Sequence, residues 1–313
     1  MFKNYRNILL IYLKIFFTLS LLLLAFYNVQ IDFTALINIL NNKYFYLVFL
    51  IIIFSLIIQN ILHGLRFKIA AKKYQINVNF SDSLLVIHIS GFVGLTPFGI
   101  LGYEIYRVNF LKKITSYKKS LSIIFLDRLF GLLAMFLVSI LSYLLIIKKE
   151  FSLMNLGMSQ PINSFIFFLI FLLLLFIIIP KDIYFFKISK KIRLFFDDIF
   201  SFLKSDKIFD TRLSLVSIMM CIVVPIALAL SSSLLNHECP PLVFFAIVSI
   251  AILITIVPIT FGGFGLRESA FIYLADLFGY SQEEFFIISI IFSLSIIIAY
   301  SPGFFLLLIK KIK

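Results

Sequence analysis

Predominantly apolar runs of span length lie near 8–27, 44–62, 120–147, 162–180, 213–235 and 285–309. Each approaches the roughly 20 residues that carry a helix across a hydrocarbon core of about 30 Å. Two further apolar runs, 84–100 and 242–260, end in strings rich in proline and glycine, and short apolar pieces follow both. Lys and Arg collect in 63–83 (four), 101–119 (five), 181–212 (eight) and at the two termini (three each), whereas 28–43 and 236–284 hold one each. Basic connections stay cytoplasmic. Both ends of 84–100 are therefore expected on the cytoplasmic side and both ends of 242–260 on the external side, so neither run need cross. The return stretch 266–279 is too short to span. The pattern predicts an all-α polytopic membrane protein of about six full spans plus two re-entrant Pro/Gly hairpins entering from opposite faces, with both termini cytoplasmic. The alternative is eight plain spans.

The same order of elements occurs twice. Span, hairpin and span fill about 44–147 and again about 213–309, and the charge distribution inverts the second copy. Inverted repeats with broken helices near the midplane are a transporter architecture. The whole chain, 1–313, reads as one integral membrane domain. The basic connection 181–212 also carries five aspartates and a row of Phe, Ile and Leu. It reads as an amphipathic helix resting on the cytoplasmic surface.

Composition agrees. The chain is 62% hydrophobic and 14% charged, with mean hydropathy +1.11, against about 25% charged in ordinary soluble domains. Net charge is +13. On a soluble protein that would suggest nucleic acid. Here the cations sit between apolar runs, where they set orientation and meet anionic lipid, so no nucleic-acid partner is expected. Two cysteines, Cys221 and Cys239, support neither a disulfide framework nor a metal cluster. His63, His88 and His237 are not spaced as ligands on one helix, and no metal or cofactor is expected. Residues 27–30 offer no small-residue cleavage site, so the first run reads as an uncleaved anchor.

Two strings carry the candidate chemistry. The first runs from Gly91 through Pro97, Gly99 and Gly102 to Glu104 and Arg107; the second runs from Pro258 through Gly262, Gly263 and Gly265 to Arg267 and Glu268. Proline removes a backbone donor and glycine permits tight turns. Irregular backbone at membrane depth is tolerated only inside protein or beside water, and the freed N–H groups of a restarting helix suit an anion. Pro97, Gly99, Gly102, Pro258, Gly262, Gly263 and Gly265 are the expected hinges. Glu104 and Glu268 suit either of two roles, first-turn carboxylates complementing a helix dipole or gating and coupling groups. Arg107 and Arg267 are the nearest cations, either snorkelling or meeting phosphate. Asp127-Arg128 falls about 12 Å inside an apolar run, where an Arg costs about 2.5–3.5 kcal/mol. The pair either locks the bundle, or Arg128 meets a phosphate while Asp127 orients it.

These strings resemble the transmembrane, flippase-like domain of lysylphosphatidylglycerol synthases and its stand-alone relatives. The likeness rests on Thr96-Pro97 through Arg107, including Gly102, Glu104 and Arg107, on Asp127-Arg128, and on Pro258 through Glu268. Members often carry an Arg about 25 residues after the second motif's Glu, where this chain has Ser293. The resemblance implies movement of lipid between the leaflets of a prokaryotic cell (inner) membrane. It does not imply aminoacylation by this chain, because no soluble transferase segment follows its last span. The expected function is translocation of a lipid with an anionic headgroup of the aminoacyl-phospholipid, glycolipid or polyprenyl-phosphate type. Arg107, Arg128 and Arg267 would bind the headgroup, and Glu104, Asp127 and Glu268 would gate or couple. The alternatives are a membrane-embedded transferase with Asp127 or Glu268 as base, or a non-catalytic partner of a separate lipid-modifying enzyme.

Overall fold

The computed structural model describes residues 16, 18–20, 22–23, 41–96, 99–150, 210–256, 260 and 262–311. The chain divides into two compact units, Met1–Ile146 with Arg212–Lys313, and Ile147–Thr211. The expected spans 8–27 and 162–180 and the connector 181–212 lie largely or wholly outside the described residues, as do Pro97 and Pro258.

The protein is an all-helical polytopic membrane protein. Helix α1 is Phe45–Lys73, α2 Phe80–Gly94, α3 Gly99–Leu111, α4 Tyr117–Glu150, α5 Thr211–Leu234, α6 Pro241–Ile254, α7 Leu266–Leu277, α8 Gln282–Tyr300 and α9 Pro302–Lys311. Among the described residues, four stretches are long and apolar enough to cross a membrane: Phe45–Lys73, Tyr117–Leu144, Thr211–Leu234 and Gln282–Ile309. They match four of the six expected spans. Helices α2 and α6 are apolar but only 15 and 14 residues long. At 1.5 Å per residue each reaches about 20 Å and falls short of the hydrocarbon thickness.

Local chemistry sets the ends. Lys72 and Lys73 occupy the last turn of α1, where cations complement the dipole, and Gln75 then turns left-handed at φ 62°. Pro241 opens α6 at a position where its missing N–H costs little. Ser281 caps α8 by accepting from the Glu284 N–H, with Glu283 and Glu284 in the first turn. The run 285–309, expected as one span, is interrupted: α8 stops at Tyr300 and α9 restarts at Pro302, because a proline cannot donate into the helical ladder.

Helix α2 packs against α1, α3, α8 and α9, while α8 packs on α1 and α7, and α7 on α6. The approach of α2 to the α8–α9 junction depends on absent side chains. A Cβ on Gly91 would lie 2.0 Å from Tyr300 Cε1, and one on Gly303 would lie 2.5 Å from the His88 carbonyl oxygen. In the second repeat, the Phe244 and Phe285 rings stack at 4.3 Å. The loop after α5 is tied to α8 by His237 Nδ1, 2.8 Å from Glu284 Oε2. The two broken regions meet, since a Cβ on Gly262 would come 3.5 Å from Leu95 Cδ2.

Candidate functional site

Asp127 is the centre of a buried charge cluster. Its carboxylate is fully buried and receives three guanidinium bonds. Arg66, from the end of α1, donates Nε to Oδ1 at 2.7 Å and Nη2 to Oδ2 at 3.2 Å. Arg107, from α3, donates Nη2 to Oδ2 at 2.6 Å. Arg66 and Arg107 are themselves buried. Charges at this depth survive only when paired, since desolvating an ion costs several kcal/mol.

Arg128, the next residue on α4, points elsewhere, as adjacent helical positions do. Its Nε donates to Glu104 Oε1, and its side chain is 41% exposed. Neither Nη has an acceptor among the described residues. Glu104 also accepts from Arg107 Nη1 at 3.2 Å. Asp127 thus does not pair with Arg128; Glu104 does. Gly131, one turn beyond Asp127, makes room for the first arginine, because a Cβ there would sit 2.5 Å from Arg66 Nη1.

Two further side chains complete the cluster. His63 Nε2 lies 3.0 Å from Arg66 Nη2 and 3.4 Å from Asp127 Oδ2, and its Nδ1 lies 3.2 Å from the Tyr103 hydroxyl. The Tyr103 ring lies beneath two cations, with Arg107 at 5.3 Å and Arg128 at 5.1 Å from its centroid, and Arg107 also covers Phe67 at 4.7 Å. Tyr300, at the end of α8, faces Tyr103, Arg128 and the Asn60 amide.

Among the described residues the cluster holds three guanidiniums against two carboxylates, a surplus of one positive charge before the His63 imidazole is counted. There Arg66 Nη1 and Arg107 Nε are buried without an acceptor.

The second repeat builds a smaller, balanced site. Gly262, Gly263 and Gly265 have φ of 54°, 83° and 81°, a region open to glycine at little steric cost. The Glu268 side chain folds back so that Oε2 accepts the Gly265 N–H at 2.6 Å, a cap on α7. Its Oε1 accepts from Ser293 Oγ at 2.5 Å. Arg267 donates to Ser293 Oγ at 2.8 Å and to the Gly262 carbonyl at 2.9 Å. In each repeat the motif glutamate thus reaches a residue of the following long helix, Arg128 in one and Ser293 in the other.

The structure brings Glu104, Arg107, Asp127 and Arg128 into one cluster and Arg267 and Glu268 into another. Gly99 starts α3 at φ 52°, whereas Gly102 lies inside α3 and is no turn position. Sequence reasoning missed Arg66, His63 and Tyr103. Arg66 counts as a connection cation when α1 is ended with its apolar run at 62, but the helix continues to Lys73. The signal was the helical spacing of Asn60, His63 and Phe67 with Arg66 beside them. Among the described residues no group of His, Cys, Asp and Glu could hold a metal.

The family described as lysylphosphatidylglycerol synthase TM region matches residues 11–302 of the chain. No curated protein matches it.

Proposed function

From the premise that the chain belongs to the lysylphosphatidylglycerol synthase transmembrane-region family, whose members act in lipid modification or transport, we propose that it is a lipid translocator. It carries a lipid with a phosphate-bearing headgroup, of the aminoacyl-phospholipid, glycolipid or polyprenyl-phosphate type, between the leaflets of the cell membrane. The observation that carries this reading is the surplus positive charge around Asp127, with Arg128 open at its edge. Glu104 occupies Arg128 Nε. An arriving phosphate binds the free Nη groups and competes with Glu104, which keeps Arg107 as partner. Asp127, Arg66 and Arg107 hold the platform, and the lipid tails stay in the bilayer. The hairpins enter from opposite faces and meet at Leu95 and Gly262. Rocking one repeat against the other then exposes Arg128 to each side in turn.

A transferase would need Asp127 or Glu268 as base. Both oxygens of Asp127 are held by guanidiniums, and those of Glu268 by the Gly265 N–H and the Ser293 hydroxyl, so neither is placed to accept a proton from a substrate. The test is bleaching of fluorescent phosphatidylglycerol by dithionite in proteoliposomes. Wild-type protein should expose inner-leaflet lipid, Arg128→Ala should not, and Arg128→Lys should act weakly. Full activity in Arg128→Ala would remove this residue from the mechanism.

A further inference from the structure

We propose that Tyr300 is a further binding residue for the anion taken by Arg128, its hydroxyl donating to an anion oxygen from the opposite repeat. The inference rests on the transport reading and adds a group of the second repeat to its seat.

Arg66, Glu104, Arg107, Asp127 and Arg128 all belong to the first repeat, on α1, α3 and α4. Tyr300 is the last residue of α8, in the second repeat, and is half-buried. Its polar neighbours include Tyr103, Arg128 and Asn60, all of the first repeat. The phenol therefore lies across the seam between the repeats, beside the exposed guanidinium of Arg128.

The ring is set in place by α2. A Cβ on Gly91 would fall within 2.9 Å of Tyr300 Cζ, so the helix backs the ring with no side chain between them. His88 meets it edge-on, with ring centroids 6.5 Å apart. A side chain already walled in this way loses little freedom when its hydroxyl takes up a ligand.

The donors at the seam lack an acceptor. Neither Nη of Arg128 has one among the described residues, and a guanidinium offers donors only. The Tyr300 hydroxyl facing it thus has nothing there to donate to, and an oxygen of an anion between them satisfies both groups.

Asn60 is the second sign that this seam takes a polar ligand. It lies one turn before His63 on the same face of α1 and is 1% exposed. Neither its Oδ1 nor its Nδ2 has a hydrogen-bond partner among the described residues, although buried amides are ordinarily bonded. An amide N–H given to the phenol oxygen of Tyr300 would leave the phenol proton for the anion. Asn60 is in this reading the positioning residue, and Tyr300 the one that touches the ligand.

The test is thermal unfolding of the full chain in detergent, titrated with dihexanoyl phosphatidylglycerol as a soluble phosphodiester. The lipid should raise the melting temperature of wild type. Tyr300→Phe keeps the ring against Gly91 and removes only the hydroxyl. It should melt with wild type when no lipid is added and need about tenfold more lipid for half of the shift, the effect of losing one hydrogen bond to a charged group. Because α2 holds the ring, the hydroxyl bonds the cargo throughout its passage. In the dithionite assay its loss should therefore raise KM about as much and leave kcat unchanged. Inorganic phosphate should stabilise wild type only at far higher concentration than the lipid. Equal half-points for the two would keep Tyr300 in the seat but overturn the lipid as its occupant. A half-point in Tyr300→Phe equal to that of wild type would overturn the inference and leave the translocator reading standing, whether or not the variant melts early. No stabilisation of wild type by the lipid, together with no transport above protein-free vesicles, would overturn both.

Discussion

Replacing Asp127 with Asn separates the cluster's supporting role from its proposed transport role. The carboxylate is fully buried and anchors Arg66 by two bonds and Arg107 by one, at 2.6–3.2 Å. Asn keeps the shape and one acceptor oxygen but removes the charge, leaving two buried guanidiniums facing each other. Breaking a buried ion pair from one side costs about 3–5 kcal/mol. The retained oxygen argues for the lower end, so Asp127→Asn should lose about 3 kcal/mol, which lowers the folding equilibrium constant more than about a hundredfold. Arg128→Ala removes a partly exposed pair with Glu104, and such pairs contribute about 1 kcal/mol or less. The assay is thermal unfolding in detergent with a thiol-reactive dye. The native cysteines suit it, since Cys239 is buried and Cys221 half-buried. Asp127→Asn should melt well below wild type and Arg128→Ala close to it, although the latter should abolish the proposed transport. If Asp127→Asn melts with wild type, or Arg128→Ala melts as early as Asp127→Asn, the division between buried support and open binding edge is wrong.

Gly131→Ala places a methyl 2.5 Å from Arg66 Nη1, so it should displace that guanidinium and lower stability by about 1–3 kcal/mol, read in the same melt; an unchanged melting temperature would refute the close approach. Ser293→Ala strips one partner from both Glu268 and Arg267, and should cost about 1–3 kcal/mol, with Ser293→Thr restoring most of it; equal stability of wild type and Ser293→Ala would show that the bridge carries nothing.

Much of this architecture was legible from residues alone. Hydropathy locates membrane-crossing material, and it found four runs that are helices here. The Pro/Gly strings marked where α2 gives way to α3 and α6 to α7, because backbone chemistry there is local. Asp127-Arg128 stood out because two charges inside an apolar run demand partners. The partners themselves were hidden. Hydropathy sees the bilayer and not the helix, so the apolar run ends at 62 although the hydrogen-bonded ladder of α1 runs on to Lys73, carrying His63 and Arg66 inward. The role of Asp127 was likewise invisible, since two adjacent residues on a helix point to different neighbours and only tertiary packing decides which. Pro302 was a local signal for the α8–α9 break and was masked by the apolar residues on both sides. Pro225, by contrast, is absorbed inside α5.

The glycine contacts of α2 have a mechanical consequence. With Gly91 against Tyr300 and Gly303 against the His88 carbonyl, backbone and ring touch with no compressible side chain between them. Such a joint resists sliding by even a methyl's width, yet it tolerates small rotations about the point of contact. The strip joining α2 to the α8–α9 elbow is therefore suited to be the fulcrum of the proposed rocking motion, the part that would stay still while the helices on either side turn.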